Sequence, residues 1–176
     1  MSRWPTTPLT VLTPVVPGEE DALTADLQTL DRDPSPFASL ASTHFVRWVV
    51  VAQVGSRLAR ARRPLSMRYL LFTALSNSPV EDFVEELGQR LGPELDTVWR
   101  HCVGYPGHQD GRAFATYLLH NALRIEQRFT AYDADVTEIK RAVGLRRAHA
   151  QLARRTQRMP DQDLQRAFLD AFGDDG

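Results

Sequence analysis

Two stretches of the chain carry side chains that could do chemistry. THFVRWVVV (43–51) sets His44 and Arg47 inside an otherwise apolar, β-branched run. A His or Arg buried there without a partner is costly, so each must find one or reach water in a pocket. In a pocket, either could bind an anionic or carbonyl group, and His44 could titrate as an acid or base. Strand alternation puts the two on opposite faces, so they do not form a simple catalytic pair. A plainer reading competes: His44 bonds to the neighbouring loop, and Arg47 pairs with a carboxylate of a second subunit.

WRHCVGYPGHQDG (99–111) gathers Cys102, the chain's only cysteine, with His101, His108 and Asp110. It reads as a helix end followed by a turn. Trp99 and Cys102 continue an apolar helical stripe, and His101 lies one position off it. Helical neighbours diverge by about 100°, so His101 is poorly aimed to activate Cys102. A helix C-terminus also disfavours a thiolate. Gly104, Pro106 and Gly107 then turn the chain, and Asp110 is placed to cap a following helix.

The remaining candidates are weaker. Tyr69 and Thr73 share one face of a strand and could orient a polar substrate, although both are also ordinary strand formers. Tyr117 and His120 lie on the helix after the turn. RLARARR (57–63) and RRAHAQLARRTQR (146–158) are arginine-rich and could meet phosphates. Neither is interleaved with exposed aromatics, and the formal net charge is -1, so solvated surfaces are the better reading and nucleic acid is not an expected partner. No GxGxxG, P-loop, HExxH, CxxC or GxSxG motif occurs, which weakens nucleotide, phosphoryl-transfer and zinc-peptidase readings. No metal site is expected.

The elements that must position these residues can be read from periodicity. Strands are predicted over 7–16, 43–52 and 67–76, with a more moderate one over 124–134. Pro14 should lie near the end of its strand. Helices are predicted over 17–30, from a capping box at Ser78-Pro79-Val80-Glu81 to about Cys102 with a break or kink at Gly92-Pro93, then over 111–123, 136–155 and 160–172. The order is βαββαβ with added C-terminal helices, an α+β, ferredoxin-like plan. The predicted division is 1–155 as the main domain and 156–176 as an amphipathic helix and tail, either a lid or an arm across a dimer. The 176 residues suit one full core, and 43% hydrophobic with 24% charged residues is ordinary for a globular chain. With one cysteine, no membrane-length apolar run and no signal-peptide pattern, a cytoplasmic protein is expected. The strong strands are apolar on both sides, so the second face of the sheet needs another layer, a second subunit or a ligand.

TVLTPVVPGEEDAL, THFVRW and RYLLFTALS together resemble the dimeric α+β barrel superfamily, in particular its antibiotic-biosynthesis monooxygenase-like members. STHFVRWVVV, LLFTALSN and HCVGYPG resemble a bacterial subgroup of it. The resemblance spans roughly residues 8 to 150. It implies a homodimer whose sheets close face to face, and a sheet–helix pocket for a hydrophobic organic molecule. It also implies a cofactor-free oxygenase-like enzyme or a ligand-binding protein, with His44 and Arg47 as catalytic candidates and Tyr69, Thr73, Tyr117 and His120 as substrate-binding ones. Other branches handle haem through a helical histidine, and His120 is the candidate by that analogy. A non-catalytic dimeric interaction module is the alternative from another class.

Overall fold

Runs of Val, Leu, Phe and Thr dominate three segments, and these form the three described strands: β1 Thr7–Pro14, β2 Thr43–Val54 and β3 Arg63–Ser76. The structure is a computed structural model and describes residues 6–54, 63–125, 134–157 and 159–172. The helices are α1 Glu20–Leu30, α2 Val80–Trp99, α3 Gly111–His120, α4 Val136–Thr156 and α5 Asp161–Phe172. A short 3-10 turn, Pro36–Ser39, precedes β2. The fold is α+β, with an antiparallel sheet in the order β1-β3-β2. Pro14 ends β1, where its missing N–H leaves no gap inside the ladder.

The predicted strand over 124–134 falls mostly on residues 126–133, outside the described residues. Residues just before it run along the free edge of β1. The Leu12 N–H donates to Asn121 O at 3.0 Å, the Leu123 N–H donates to Thr10 O at 2.7 Å, and Ala122 bridges Val11. RLARARR likewise lies almost entirely outside the described residues. Arg146, Arg147, Arg154 and Arg155 of α4 are exposed.

Two sequence expectations about α2 are corrected. The helix starts at Val80 with Pro79 at its cap and no side-chain capping bond. Ser78 does not cap it; its own N–H donates to Ser76 Oγ at 3.0 Å. Nor does Gly92-Pro93 end the helix, which continues to Trp99. Pro93 is exposed, so its cost is the local one of a lost backbone bond and a crowded preceding turn, with no disruption of the core. The Asp110 cap forms as predicted: its Oδ1 accepts from the N–H groups of Arg112 at 3.1 Å and Ala113 at 3.0 Å.

One face of the sheet packs against α1 and α2. Leu9, Val11 and Val15 from β1 and its end, and Leu70, Phe72 and Ala74 from β3, are buried there with Leu23, Phe83, Leu87, Leu95 and Trp99. Aromatic rings fill the space between sheet and α2. Trp48 meets Phe72 and Trp99 at centroid separations of 4.6 Å each, and Trp99 meets Phe114 edge-on at 6.1 Å. The space in which a sheet–helix pocket is expected from the sequence is occupied by these rings.

On the opposite face Phe45, Arg47 and Val49 of β2 are exposed, and the β1 and β3 residues are half-buried. The cross-strand rows of this face, read from β2 through β3 to β1, are Phe45–Leu75–Pro8, Arg47–Thr73–Thr10, Val49–Leu71–Leu12 and Val51–Tyr69–Pro14. Phe45 is 47% and Val49 38% exposed.

The chain divides into two compact units, Met1–Asp135 and Val136–Gly176. The sequence-based boundary at 155/156 falls inside the second. The structure groups α4 with α5 because an aromatic contact joins them: the His149 ring stacks on Phe172 at 4.2 Å and meets Phe168 at 5.9 Å. No described helix is long and apolar enough to cross a membrane.

Candidate functional site

The residues singled out from sequence fall into three places. Arg47, Tyr69 and Thr73 share the partly exposed face of the sheet, where Arg47 is the register partner of Thr73. His44 sits where the β2 register shifts between Thr43 and Phe45. Its Nε2 is buried and finds no hydrogen-bond partner among the described residues, so the expected bond from this nitrogen to the neighbouring loop is not made. His44 thus sits at an irregularity of the ladder, while Arg47 lies in its regular part opposite Thr73. Tyr117 and His120 lie on α3, beside a shallow hollow of about 470 Å³. The Tyr117 hydroxyl donates to Val103 O at 3.3 Å, and burial pushes its phenol up. His120 is exposed at the end of the helix.

The loop from 99 to 111 resolves into two separate constellations. In the first, His101 is 4% exposed. Its Nδ1 lies 2.7 Å from Glu19 Oε2 and its Nε2 2.8 Å from Asp26 Oδ2. Arg100 adds a bond to the same Asp26 oxygen at 2.7 Å. The hydrogen bond from His101 and the Arg100 guanidinium hold the Asp26 carboxyl below its ordinary value, against the smaller opposing effect of burial. Both ring nitrogens of His101 are thus engaged by carboxylates, and Arg100 Nε also lies 3.4 Å from Nε2. The ring ties α1 to the end of α2 and has no nitrogen left over. Cys102 faces elsewhere. Its Sγ accepts from Thr13 Oγ1 at 3.3 Å, and burial raises the thiol to about 11. A thiol so raised is a poor nucleophile.

The second constellation centres on Asp96 of α2, where the sequence reading assigns no role. Asp96 Oδ1 accepts from the Tyr105 hydroxyl at 2.6 Å and the His108 N–H at 3.1 Å. Asp96 Oδ2 takes His108 Nδ1 at 2.6 Å and the Gln109 side-chain amide at 3.5 Å. Burial works against the Asp96 charge, but the bonds from Tyr105 and His108 outweigh it and hold the carboxyl below its ordinary value. Burial and the neighbouring carboxylate push the Tyr105 phenol up, so it remains a donor.

Two glycines on α2 make room for this loop and for α3 beyond it. A β-carbon at Gly92 would run into the His108 ring, and one at Gly88 would come within 3.2 Å of Phe114. Gly104 (φ 74°) and Gly107 (φ 86°) supply the left-handed turns that bring residues 105–108 back onto the helix. The His108 ring lines a cleft of about 800 Å³ between α2 and α3, together with Val84, Phe114, Leu119, Glu85 and Arg112.

Family models, curated proteins and solved structures return no match to this chain. The chemistry therefore rests on the geometry.

That geometry offers a partly exposed, mostly apolar sheet face on which Arg47 stands, and an Asp–His pair beside a cleft. Among the described residues there is no cluster of three or more His, Cys, Asp or Glu arranged to hold a metal ion. The signals that point to Asp96 and His108 are the Gly88/Gly92 spacing on one helix face and a glycine-flanked histidine twelve residues beyond an aspartate. Neither is diagnostic until the turn is built.

Proposed function

We propose that this chain is a ferredoxin-like subunit whose open sheet face is closed by a second copy of itself. The enclosed face would bind a hydrophobic organic molecule carrying an anionic or carbonyl group. The strand order β1-β3-β2, with residues 121–123 along the outer edge of β1, leaves the place a fourth strand takes in the βαββαβ plan. The observation that carries the reading is the partly exposed face itself. A polar row, Arg47–Thr73–Thr10, lies between the apolar rows of Phe45 and Val49. Contiguous exposed apolar surface rimmed by polar groups marks an interaction site.

On closure the Arg47 guanidinium would leave water, and it then requires a negative or strongly polar partner. A ligand carboxylate or carbonyl meets that need, with Thr73 and Tyr69 as orienting groups. In a cofactor-free oxygenase-like reaction, the same guanidinium would stabilise charge developing on the substrate oxygen. His44, on the opposite face, would take no direct part. This reading moves the ligand site expected from the sequence out of the sheet–helix space, which rings occupy, to the sheet's outer face.

The test is light scattering with native mass spectrometry on the full chain. A dimer at micromolar concentration is expected, reduced to monomer in Val49→Asp. A co-purifying small molecule should be lost in Arg47→Ala while the dimer persists. A monomeric wild type would overturn the reading. A dimer with no ligand affinity would leave the non-catalytic interaction module, and a Soret band abolished in His120→Ala would point to haem instead.

A further inference from the structure

We propose that the cleft between α2 and α3 is a second ligand site, independent of the sheet face. It would take a small, mostly apolar molecule bearing an acidic hydroxyl, a phenol or an enol, with His108 Nε2 as the proton acceptor. Three features of the structure carry this.

The first is the state of the ring. His108 Nδ1 is committed to Asp96 at 2.6 Å. A neutral imidazole that donates from Nδ1 presents a bare lone pair at Nε2. No described residue bonds that nitrogen, and the side chain is 23% exposed. His101, a few residues earlier, shows the same chain using both nitrogens of a ring where the ring serves only to hold elements together.

The second is preorganisation. Asp96 is itself fixed by Tyr105 and by the His108 backbone, and the ring lies against Gly92, where any β-carbon would displace it. An acceptor held this way loses little entropy when a donor arrives.

The third is the cleft. At about 800 Å³ it is of ligand size, and Val84, Phe114 and Leu119 give it apolar walls. Among the described residues no hydroxyl or thiol side chain lines it, so none of them is a nucleophile for His108 to activate, and the proton is taken from the ligand. Glu81 and Glu85 also line the cleft and disfavour a ligand that arrives as an anion. A neutral hydroxyl avoids that repulsion. In the transfer, the ligand O–H bond breaks, its electron pair stays on oxygen, and an N–H bond forms at Nε2. The resulting imidazolium faces the Asp96 carboxylate, and the oxyanion has the Arg112 guanidinium in the same cleft.

The probe is 4-nitrophenol, whose anion absorbs apart from the neutral form. It would be titrated into the full-chain protein below the pH at which the free probe ionises. Saturable growth of the nitrophenolate band is expected, with a matching shift of the His108 ring nitrogen signals. His108→Gln should weaken it roughly tenfold or more, the value of one good hydrogen bond. An absent or non-saturable response, or equal binding by the variant, would overturn the site. A measurement on the unmutated protein covers the case of a variant that does not fold. Nitrogen NMR should show His108 protonated at Nδ1 and bare at Nε2, and the opposite tautomer would end the proposal.

Discussion

His101 and His108 stand in one short loop, each against aspartate, and differ in what faces the second nitrogen. His101 is enclosed, with Glu19 on one side and Asp26 on the other. His108 meets Asp96 on one side only and lines a cleft on its flank. The first arrangement can hold elements together but has no nitrogen left free. The second fixes a tautomer and leaves a nitrogen for chemistry. A histidine–carboxylate contact is thus not informative by itself; the second nitrogen decides what the pair can do.

Removing His101 should have the largest effect on stability. His101→Ala leaves Glu19 and Asp26 facing each other across an emptied, buried position. A loss of about 2 to 3 kcal/mol is expected in chemical denaturation, toward the low end for broken buried pairs because Glu19 is half exposed. His108→Ala at its more open site should cost less. If the two losses are equal, the contrast between a closed and an open ring fails. The acid side gives a second check on the closed site. Asp26 is depressed in the folded state below its ordinary 3.8. Its contribution is therefore complete above that value and is lost as pH falls through the lower folded value. Asp26→Asn should flatten that part of the acid unfolding curve, and an unchanged curve would refute the assignment.

Gly92→Ala comes next and acts only on the open site. The new methyl must displace the His108 ring. Overpacking of this kind costs about 1 to 3 kcal/mol, offset by up to about 1 kcal/mol of helix propensity, so a net loss of about 1 to 2 kcal/mol is expected in thermal unfolding. The His108 ring signals should move with it while those of His101 stay in place. A stabilised protein with unchanged His108 signals would show that the ring does not depend on that glycine.

How much of this could be read from sequence differs between the two histidines. The three described strands were legible, because THFVRWVVV is rich in β-branched residues and MRYLLFTALS in aromatic and aliphatic ones, while the fourth expected strand falls mostly outside the described residues. The Asp110 cap was legible too, since it depends on local spacing; the inert setting of Cys102 was expected from the helix end but is produced by burial beside Thr13 of β1. Of the break or kink expected at Gly92-Pro93, the break does not occur, because burial of Leu91, Leu95 and Trp99 holds the helix through the proline. The capping box was misread because the helix starts at Val80 with Pro79 at the cap, which leaves Ser78 one position too early. The His101 contacts bridge residues 82 and 75 positions apart, to Glu19 and Asp26. The Asp96–His108 pair depends on how two left-handed glycines fold a loop back onto its own helix. Spacing along the chain encodes neither.

Tyr105→Phe tests the open site most gently. It removes one of the donors to Asp96 and leaves the ring packing against Trp99 and Tyr117 intact. The expected cost is about 1 kcal/mol, a single hydrogen bond to a charged acceptor that keeps its other donors. The informative part is the pH response. Asp96 is held down by Tyr105 and His108 together, against burial. Without the phenol, its folded value should rise toward the ordinary 3.8, and the acid stability window should narrow from its low-pH end. His108 should still donate from Nδ1, because its bond to Oδ2 does not pass through Tyr105. Carbon and nitrogen NMR of the variant would read both. A shifted Asp96 with an unshifted His108 tautomer means that Tyr105 sets the strength of the carboxylate and not the orientation of the ring. A flipped tautomer would mean that the open nitrogen is held by the whole cluster, and that its freedom is conditional on the phenol.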